Sequence, residues 1–393
     1  PGRLITMDTA FIYSHSVSGR NFVGRKGDIT ILSNLLSQNE NIALYGSPKC
    51  GLTSLAGQAF MQLRFSHPDL LVAETSLLSV RSLSSFVCPL GDAVLRAFCA
   101  TPAEFAETVS LMLKGTHFVF DPGRYAEHDE ILSLSWDLDD DDVAAVLRLP
   151  YLLSSAQGRQ LYVMLGDFQC ISAVAEYERL LRTWEGVIRE QRSGLIQPTC
   201  ALIFCGSTLN AMKYIFLERK FFWRLCERFT PSPLGEKEVI EYITRSLMVS
   251  GKVVENDLLQ GVYKLFRGDI WYINHFMSIC DHLSKGYIME PVLMEALEAL
   301  ISVHEPRFKA IMADLTTFQV SLLRAILDGH ARFSAADVIS KYSLNSSANV
   351  KRLKDALVKK EIVTFDDKDE PTVIDPLFEY WARKYFFGER VGL

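Results

Sequence analysis

The 393-residue sequence contains no apolar run that approaches the roughly 18 residues needed to cross a bilayer. Its longest apolar stretches, such as residues 161–165, have the length of a strand. The N-terminal stretch 1–7 lacks the apolar core of a signal peptide. We therefore expect a cytoplasmic protein without a membrane-spanning segment.

Sequence patterns that bind metals are also missing. The eight cysteines form no C-x-x-C pair, and the eight histidines show no i, i+4 pairing. The acidic run at Asp137 and 139–142 lacks the central glycine and the terminal glutamate of an EF-hand. We expect reduced cysteines, and we interpret the acidic run as the solvated N-terminus of a helix.

The composition is that of a folded globular protein, with 49% hydrophobic and 22% charged residues. This balance excludes disorder for the bulk of the chain, and the length indicates two to three domains at ~150 residues each. A formal charge of -6 disfavours a surface built for nucleic acid as a whole, although a local basic element remains compatible with it.

Four apolar segments have the length of buried strands, and amphipathic helical patterns lie between them. The segments are 41–45, 70–74, 161–165 and 201–205. Continuous apolar strands that alternate with helices are typical of a parallel sheet covered on both faces. The sequence therefore predicts an α/β domain with a parallel sheet, which we place at residues 8–232.

From residue 233 the apolar pattern is purely helical. About four amphipathic helices are expected over residues 233–310, enough for a small helical domain. The remaining residues, 311–393, predict a winged-helix domain, because short helices are followed there by a hairpin. The predicted elements are helices at 318–327, 335–341 and 346–359 and strands at 362–365 and 372–374.

A glycine-rich segment follows the first strand and precedes a helix, which is the context of a phosphate-binding P-loop. Gly46, Gly51 and Thr53 fit the pattern G-x-x-x-x-G-K-[ST], but Leu52 replaces the lysine. Lys49 either reaches a phosphate from the other side of the loop or is solvated. The alternative interpretation is that the segment is a glycine turn that binds no ligand. The candidate nucleotide-binding residues are Gly46, Ser47, Pro48, Lys49, Cys50, Gly51, Leu52, Thr53 and Ser54.

The third apolar segment ends where a P-loop enzyme keeps the acidic pair that holds Mg²⁺ and orients water. Gly166 occupies the place of the first acid and Asp167 that of the second. Asp167 either supports Mg²⁺ or a water, or is an ordinary acid in a turn. Because phosphoryl transfer depends on electrostatics, loss of the lysine and of the first acid should impair hydrolysis far more than binding.

Two further residues are candidates for sensing a γ-phosphate. Ser207 follows the fourth apolar segment, and a small polar residue at that strand end would lie near the phosphate. Arg224 follows two aromatic residues and would supply positive charge, either to its own site or to that of a neighbour. The alternative for Arg224 is a surface arginine beside an aromatic anchor.

The predicted helix at 346–359 carries basic residues along one side. Lys351, Arg352 and Lys354 lie where a recognition helix would contact the major groove. The local net charge is only +3. Since winged helices also bind proteins, DNA and a protein partner both remain candidates.

The order of these motifs resembles that of the archaeal-type AAA+ ATPases of the STAND group and their bacterial relatives. The likeness covers nearly the whole chain, and five motifs in the same order make it specific. The residues that carry it are Phe22-Val23-Gly24-Arg25, the P-loop, Asp167-Phe168-Gln169, Gly206-Ser207 with Phe222-Trp223-Arg224, and Asp375-Pro376-Leu377-Phe378 with Trp381.

The resemblance implies a P-loop AAA+ domain followed by a helical lid and a winged helix. It implies that Gly46, Gly51 and Thr53 contact phosphates or Mg²⁺, that Ser207 is a sensor, and that Arg224 is the sensing arginine. It also places Arg25 near the adenine-binding crevice. The cofactors it implies are ATP or ADP and Mg²⁺, with Thr53 and Asp167 as the metal-binding candidates.

Three functions are compatible with the sequence. The first is a nucleotide-binding switch with weak or lost hydrolysis, whose winged helix contacts DNA or a protein. The second is a working ATPase whose site was rebuilt with Lys49 and Asp167, so the sequence does not decide whether the protein is an enzyme. The third is a scaffold that binds no nucleotide.

Overall fold

The computed structural model describes residues 11–17, 19, 22–194 and 199–392. The N-terminal stretch 1–7 and the predicted domain start at residue 8 lie outside these residues. The chain forms two compact units. We call residues 26–48 and 55–231 the sheet unit, and residues 11–25, 49–54 and 232–392 the helical unit.

The sheet unit contains the predicted parallel sheet. Its strands are β1 (Ile42–Tyr45), β2 (Leu71–Ser76), β3 (Phe118–Val119), β4 (Ser133–Leu134), β5 (Leu161–Gly166), β6 (Cys200–Gly206) and β7 (Glu227–Phe229). Five of them form a sheet of order β2-β5-β6-β1-β7, and every pair in it is parallel. The short β3 and β4 pair separately as an antiparallel ribbon.

Helices connect these strands, as the alternating pattern predicts. They are α1 (Lys26–Ser37), α2 (Leu52–Ser66), α3 (Leu83–Phe98), α4 (Pro102–Met112), α5 (Pro122–His128), α6 (Asp140–Gln157), α7 (Tyr177–Arg192) and α8 (Leu209–Lys213), with a 3-10 helix at Phe168–Ala173 and a π-helical turn at Tyr214–Glu218. The first three residues of α2 are counted with the helical unit.

A buried asparagine fixes the start of β1 between its two neighbours. Asn41 is 2% exposed, its Oδ1 accepts a hydrogen bond from the Leu202 amide at 2.9 Å, and its Nδ2 donates to the Leu225 carbonyl at 3.0 Å. Leu202 lies on β6, and Leu225 precedes β7. Because an unpaired polar group would be costly at this depth, the two bonds hold the register of the three strands.

The acidic run contains one buried member, so the expectation of a solvated cluster is wrong for Asp142. Asp139 caps α6, but Asp142 is 1% exposed. Its carboxylate accepts hydrogen bonds from the amides of His117 and Asp139 at 2.8 and 3.0 Å and contacts Nδ1 of His117 at 2.9 Å. The carboxylate therefore joins the start of α6 to the chain before β3.

The helical unit contains the remaining elements. They are α9 (Glu236–Val249), β8 (Val253–Val254), α10 (Asn256–Phe266), α11 (Ile270–Leu283), β9 (Tyr287–Ile288), α12 (Glu290–Ala313), α13 (Thr317–Leu327), α14 (Ala336–Tyr342), α15 (Ser347–Lys359), β10 (Val363–Phe365), β11 (Pro371–Val373), α16 (Pro376–Trp381) and a π-helical turn at Ala382–Phe386. The four helices α9 to α12 and the later segment share one continuous hydrophobic core.

The C-terminal elements have the predicted winged-helix order. α13, α14 and α15 are followed by the antiparallel hairpin β10–β11. Ser346 caps α15 by accepting a hydrogen bond from the Asn349 amide, and Val350, Leu353 and Leu357 form its buried face. The opposite face of α15 is left to polar and basic side chains.

Within the described ranges, no single helix is both long and apolar enough to cross a membrane. One consecutive pair, α3 and α4, passes that test only when the two are combined, and they are bent by 118°.

Candidate nucleotide site and winged-helix surface

In the sheet unit, three loops that carry predicted site residues leave the same edge of the parallel sheet. β1 ends before Gly46, β5 before Asp167 and β6 before Ser207. Tyr45 is in register with Gly206, and the Gly46 amide donates to the Gly206 carbonyl at 3.4 Å. The parallel topology therefore places Gly46, Asp167 and Ser207 at one edge of the sheet, because the carboxyl ends of parallel strands share one edge.

The P-loop segment contains two residues with a positive φ. Gly51 lies at φ 87°, a conformation that favours glycine, and α2 begins at the next residue. Lys49 also has a positive φ, of 62°. The Cys50 carbonyl accepts a hydrogen bond from Nη1 of Arg25 at 2.7 Å. Arg25 thus supports the loop backbone, although Nε of Arg25 is buried without a partner among the described residues.

The residues that begin α2 face different surroundings. Leu52 is only 6% exposed, so the side chain that replaces the P-loop lysine is buried and presents no charge. Thr53 is exposed. Oγ of Ser54 accepts a hydrogen bond from the Val17 amide at 3.0 Å. The hydroxyl of Ser54 therefore anchors the N-terminal segment.

The amine of Lys49 lies over an aromatic ring. Its Nζ is 4.3 Å from the centroid of the Trp271 ring, within the range of a cation–π interaction. Neither of the two alternatives for Lys49 predicted this contact. Trp271 was missed by sequence reasoning because it lies more than two hundred residues away and belongs to no P-loop motif.

A tight turn places Trp271 at the start of α11. Arg267 and Gly268 both have positive φ, and the carboxylate of Asp269 accepts hydrogen bonds from the amides of Trp271 and Tyr272 at 3.0 and 3.1 Å. Burial raises the pKa of Asp269 to about 7. This cap fixes the first turn of α11, so that Trp271 is held in position.

The N-terminal segment packs along the same helix. Nε1 of Trp271 donates to the Tyr13 carbonyl at 2.9 Å, and Nδ2 of Asn274 donates to the Ile12 carbonyl at 2.8 Å. The Tyr13 ring stacks on His275 with centroids 4.3 Å apart. Burial and then the charge of Lys49 lower the pKa of His275, which keeps the imidazole neutral beside the lysine.

Tyr272, which follows Trp271 on α11, contacts the winged-helix segment. The hydroxyl of Tyr272 donates to the carboxylate of Asp375, with both oxygens at 2.9 Å, and Nη2 of Arg307 lies 2.7 Å from Oδ2 of the same group. Asp375 also caps α16. Two adjacent residues of α11 therefore make different contacts: Trp271 contacts Lys49, and Tyr272 contacts Asp375 of the C-terminal D-P-L-F motif.

In the sheet unit, Asp167 is a partly buried acid whose carboxylate has one hydrogen-bond partner among the described residues. It lies at φ 52°, and its Oδ2 accepts a hydrogen bond from Oγ of Ser76 at 2.6 Å. A Cβ built on Gly166 would meet the Thr75 carbonyl at 3.6 Å, an ordinary contact. The absence of the first acid is therefore not imposed by crowding of the backbone at that position.

The end of β6 is crowded, and an unpaired oxygen faces it. A Cβ built on Gly206 would lie 2.6 Å from Oε1 of Gln169 and 2.5 Å from the sulfur of Met212, so a larger residue would require these two side chains to move. Oε1 of Gln169 is buried and has no hydrogen-bond partner among the described residues. Ser207, the next residue, is half-buried. The resemblance pointed to Gln169 only as part of a motif, without a role for its amide.

Arg224 lies in a loop whose base is firmly anchored. Phe222 is buried, and its amide donates to Oε1 of the buried Glu185 at 2.6 Å. Lys220, Phe222 and Arg224 all have positive φ. The Arg224 side chain is exposed and makes no hydrogen bond or ion pair with the part of the chain that the structure describes. Its guanidinium is free to contact a ligand or a neighbouring molecule.

The three basic candidates on α15 differ in their surroundings. Lys351 and Arg352 are exposed. The amine of Lys354 lies 2.6 Å from both carboxylate oxygens of Asp369 and 4.3 Å from the centroid of the Phe365 ring. Lys354 thus joins α15 to the hairpin, while Lys351 and Arg352 remain available to a partner.

Comparison with a protein family agrees with this C-terminal fold. A family model described as a probable winged helix domain matches residues 306–384. None of the proteins with curated functions matches the chain.

Solved structures share the architecture of nearly the whole chain. The Walker-type ATPase PABY2304 of Pyrococcus abyssi is similar with a TM-score of 0.62 at 15% identity, covering 95% of this chain and 99% of that one. The ORC2 protein of Aeropyrum pernix, in its ADPNP-ADP complexes, is similar with a TM-score of 0.57 at 12% identity, covering 94% and 93%. The predicted fold class is confirmed: the chain has a parallel-sheet α/β architecture that it shares with these two solved structures, and a winged-helix domain in its C-terminal part.

Proposed function

We propose that this chain is an ATP- or ADP-binding, AAA+/STAND-type nucleotide switch with weak or lost hydrolysis. The observation that carries the proposal is the P-loop backbone between β1 and α2, with Gly51 at φ 87° directly before the helix. A glycine turn at a helix N-terminus presents backbone amides to a phosphate, and this geometry does not need the missing lysine.

Adenine nucleotide is the ligand that the neighbours favour. The Aeropyrum ORC2 protein was solved with ADPNP and ADP, and the Pyrococcus protein is described as an ATPase. In this chain, residues 46–54 would hold the phosphates, and Arg25, bonded to the Cys50 carbonyl, would lie beside the adenine. Because the loop contributes no lysine at position 52, binding should be weaker than in an intact P-loop.

Magnesium fits the donors that remain, although the set is small. Thr53 offers an exposed hydroxyl and Asp167 a carboxylate, both oxygen donors of the kind that Mg²⁺ prefers. When bound, the ion would neutralise phosphate charge. Ser207 and Arg224 are the proposed sensors of the γ-phosphate. With Leu52 buried and Gly166 lacking a side chain, less positive charge and one fewer carboxylate would act on the transition state, so hydrolysis should be slow.

The proposed output of the switch is the winged helix. Lys351 and Arg352 present positive charge on the exposed face of α15, which suits the phosphates of DNA or an acidic protein surface. In this proposal the chain consists of an AAA+ domain at 8–232, a helical lid at 233–310 and a winged helix at 311–393.

The first test is whether the purified protein carries nucleotide, read from its absorbance ratio and from chromatography of an acid extract. The proposal expects ADP or ATP, or their uptake on incubation. A steady-state assay then separates a switch from a working enzyme. A protein that neither retains nor takes up nucleotide would instead be the scaffold, with its C-terminal part as the functional element.

A further inference from the structure

Lys49 and Trp271 form a cation–π pair in the helical unit. Lys49 is an exposed residue, yet its amine is 4.3 Å from the centroid of the Trp271 ring. Among the described residues, the amine makes no hydrogen bond and no ion pair. The indole is fixed more firmly, because its Nε1 donates to the Tyr13 carbonyl and Asp269 caps its helix.

The cation–π interaction between Lys49 and Trp271 is weak compared with the interaction that Lys49 would make with a phosphate. A partly exposed cation–π contact changes an equilibrium constant by roughly two- to fivefold. A phosphate oxygen offers the ammonium group charge-assisted hydrogen bonds, which the ring cannot provide. Lys49 is also the one lysine within the loop 46–54 that a bound phosphate could attract, and Leu52, at the usual position of the lysine, is buried and uncharged.

We propose that Lys49 is the mobile phosphate-binding cation of this chain and that Trp271 is its resting site. When phosphate binds, the amine of Lys49 leaves the indole ring and contacts the phosphate. The loss of the contact between Lys49 and Trp271 then signals to the first turn of α11 that the phosphate site is occupied. This inference rests on the proposed function, since it requires that the loop binds nucleotide phosphate.

A set of matched variants separates the ring from its hydrogen bond. Trp271→Phe and Trp271→Leu both lose the indole N–H, but only the leucine variant loses an aromatic face. Lys49→Met removes the charge at similar length. Lys341, whose amine lies 4.9 Å from the Tyr342 ring centroid in the winged-helix segment, provides Lys341→Met as the control for losing a lysine on an aromatic ring.

ADP affinity is measured by equilibrium dialysis, which does not depend on tryptophan. Lys49→Met should weaken ADP binding about tenfold, as expected for loss of one charge-assisted contact. Trp271→Leu should bind ADP about two- to fivefold more tightly than Trp271→Phe, because the competing ring is gone. In the Lys49→Met background this difference should vanish, and Lys341→Met should bind like the wild type.

Tryptophan emission provides the second readout. Inorganic pyrophosphate alone should change the emission of the wild type, and the change should be lost in Trp271→Phe and in Lys49→Met. The inference would be overturned if Lys49→Met left ADP affinity unchanged, or if Trp271→Leu weakened ADP binding equally in the wild-type and Lys49→Met backgrounds. Either result would leave nucleotide binding itself intact. Absence of ADP binding to the wild type would overturn both the inference and the proposed function.

Discussion

Lys49 lies over the indole of Trp271, with 4.3 Å between its Nζ and the ring centroid, whereas Leu52 is buried at the position of the P-loop lysine. The positively charged amine of this loop therefore contacts a residue of α11. A loop with this arrangement can still present backbone amides to a phosphate. The loop lacks a cation that is fixed beside the phosphate. We therefore expect phosphate binding to be retained and catalysis to be impaired.

Restoring the two missing side chains should increase hydrolysis. Leu52→Lys combined with Gly166→Asp returns the lysine and the first acid, and the backbone around Gly166 leaves ordinary contact distances for a Cβ. We expect kcat to rise by about tenfold or more, since each group stabilises charge in the transition state. Phosphate release under saturating ATP and Mg²⁺ measures the change.

A fast wild-type enzyme would contradict this account of catalysis. If the unmodified protein turns over at about 1 s⁻¹ and Asp167→Ala abolishes the activity, the site has been rebuilt around Asp167 and the protein is a working ATPase.

The partly buried histidines His275 and His304 should make the helical unit sensitive to acid. Burial, followed by the positive charge of Arg307, lowers the pKa of His304 to about 4. The unfolded chain binds this proton near pH 6.5, so the free energy of unfolding should fall as the pH drops from about 6.5 to about 4. Urea titrations of wild type and His304→Gln across this range should show a shallower decline in the variant.

Exposed His67 offers the matched control for that experiment, as His67→Gln removes a histidine from the surface of the sheet unit. An acid decline that is equally steep in wild type and His304→Gln would show that other groups cause it.

The two kinds of basic residue on α15 should respond differently in DNA binding. Arg352 is exposed, so Arg352→Ala should weaken binding and reduce the log–log salt slope by about 0.9 if it contacts one phosphate. Lys354 is paired with Asp369, so Lys354→Ala should lower the stability of the hairpin and leave the salt slope nearly unchanged. Fluorescence anisotropy with duplex DNA at several salt concentrations compares them.

No binding to duplex DNA at low salt would reject this role for α15. The exposed basic face would then be assigned to an acidic protein partner. Equal changes of salt slope in both variants would show that the Asp369 pair opens on binding.

Local pattern was sufficient for much of the fold. Continuous apolar strands predicted the parallel sheet, and the helical spacing of apolar residues predicted the four helices α9 to α12. The positive φ of Gly51 could also be predicted, because glycine is the residue that adopts this conformation most readily in a tight turn.

Contacts between distant residues could not be predicted in this way. Nothing near Lys49 in the sequence indicates that its amine meets Trp271, and nothing near Asp142 indicates that a member of an acidic run is buried against His117. Both depend on tertiary packing that brings remote segments together, and composition or periodicity carries no information about such pairs.

The central claim is that the P-loop binds adenine nucleotide through its backbone, and calorimetry with a pair of glycine variants tests it most directly. Gly51 has a φ of 87°, so Gly51→Ala should strain the cradle, whereas Gly57 lies in α2 with open space around its Cβ, so Gly57→Ala should leave the cradle intact. We predict weak ADP binding by the wild type and by Gly57→Ala, and at least tenfold weaker binding by Gly51→Ala. Absence of heat with ADP or ATP at millimolar concentration, or equal affinity in all three proteins, would contradict the claim.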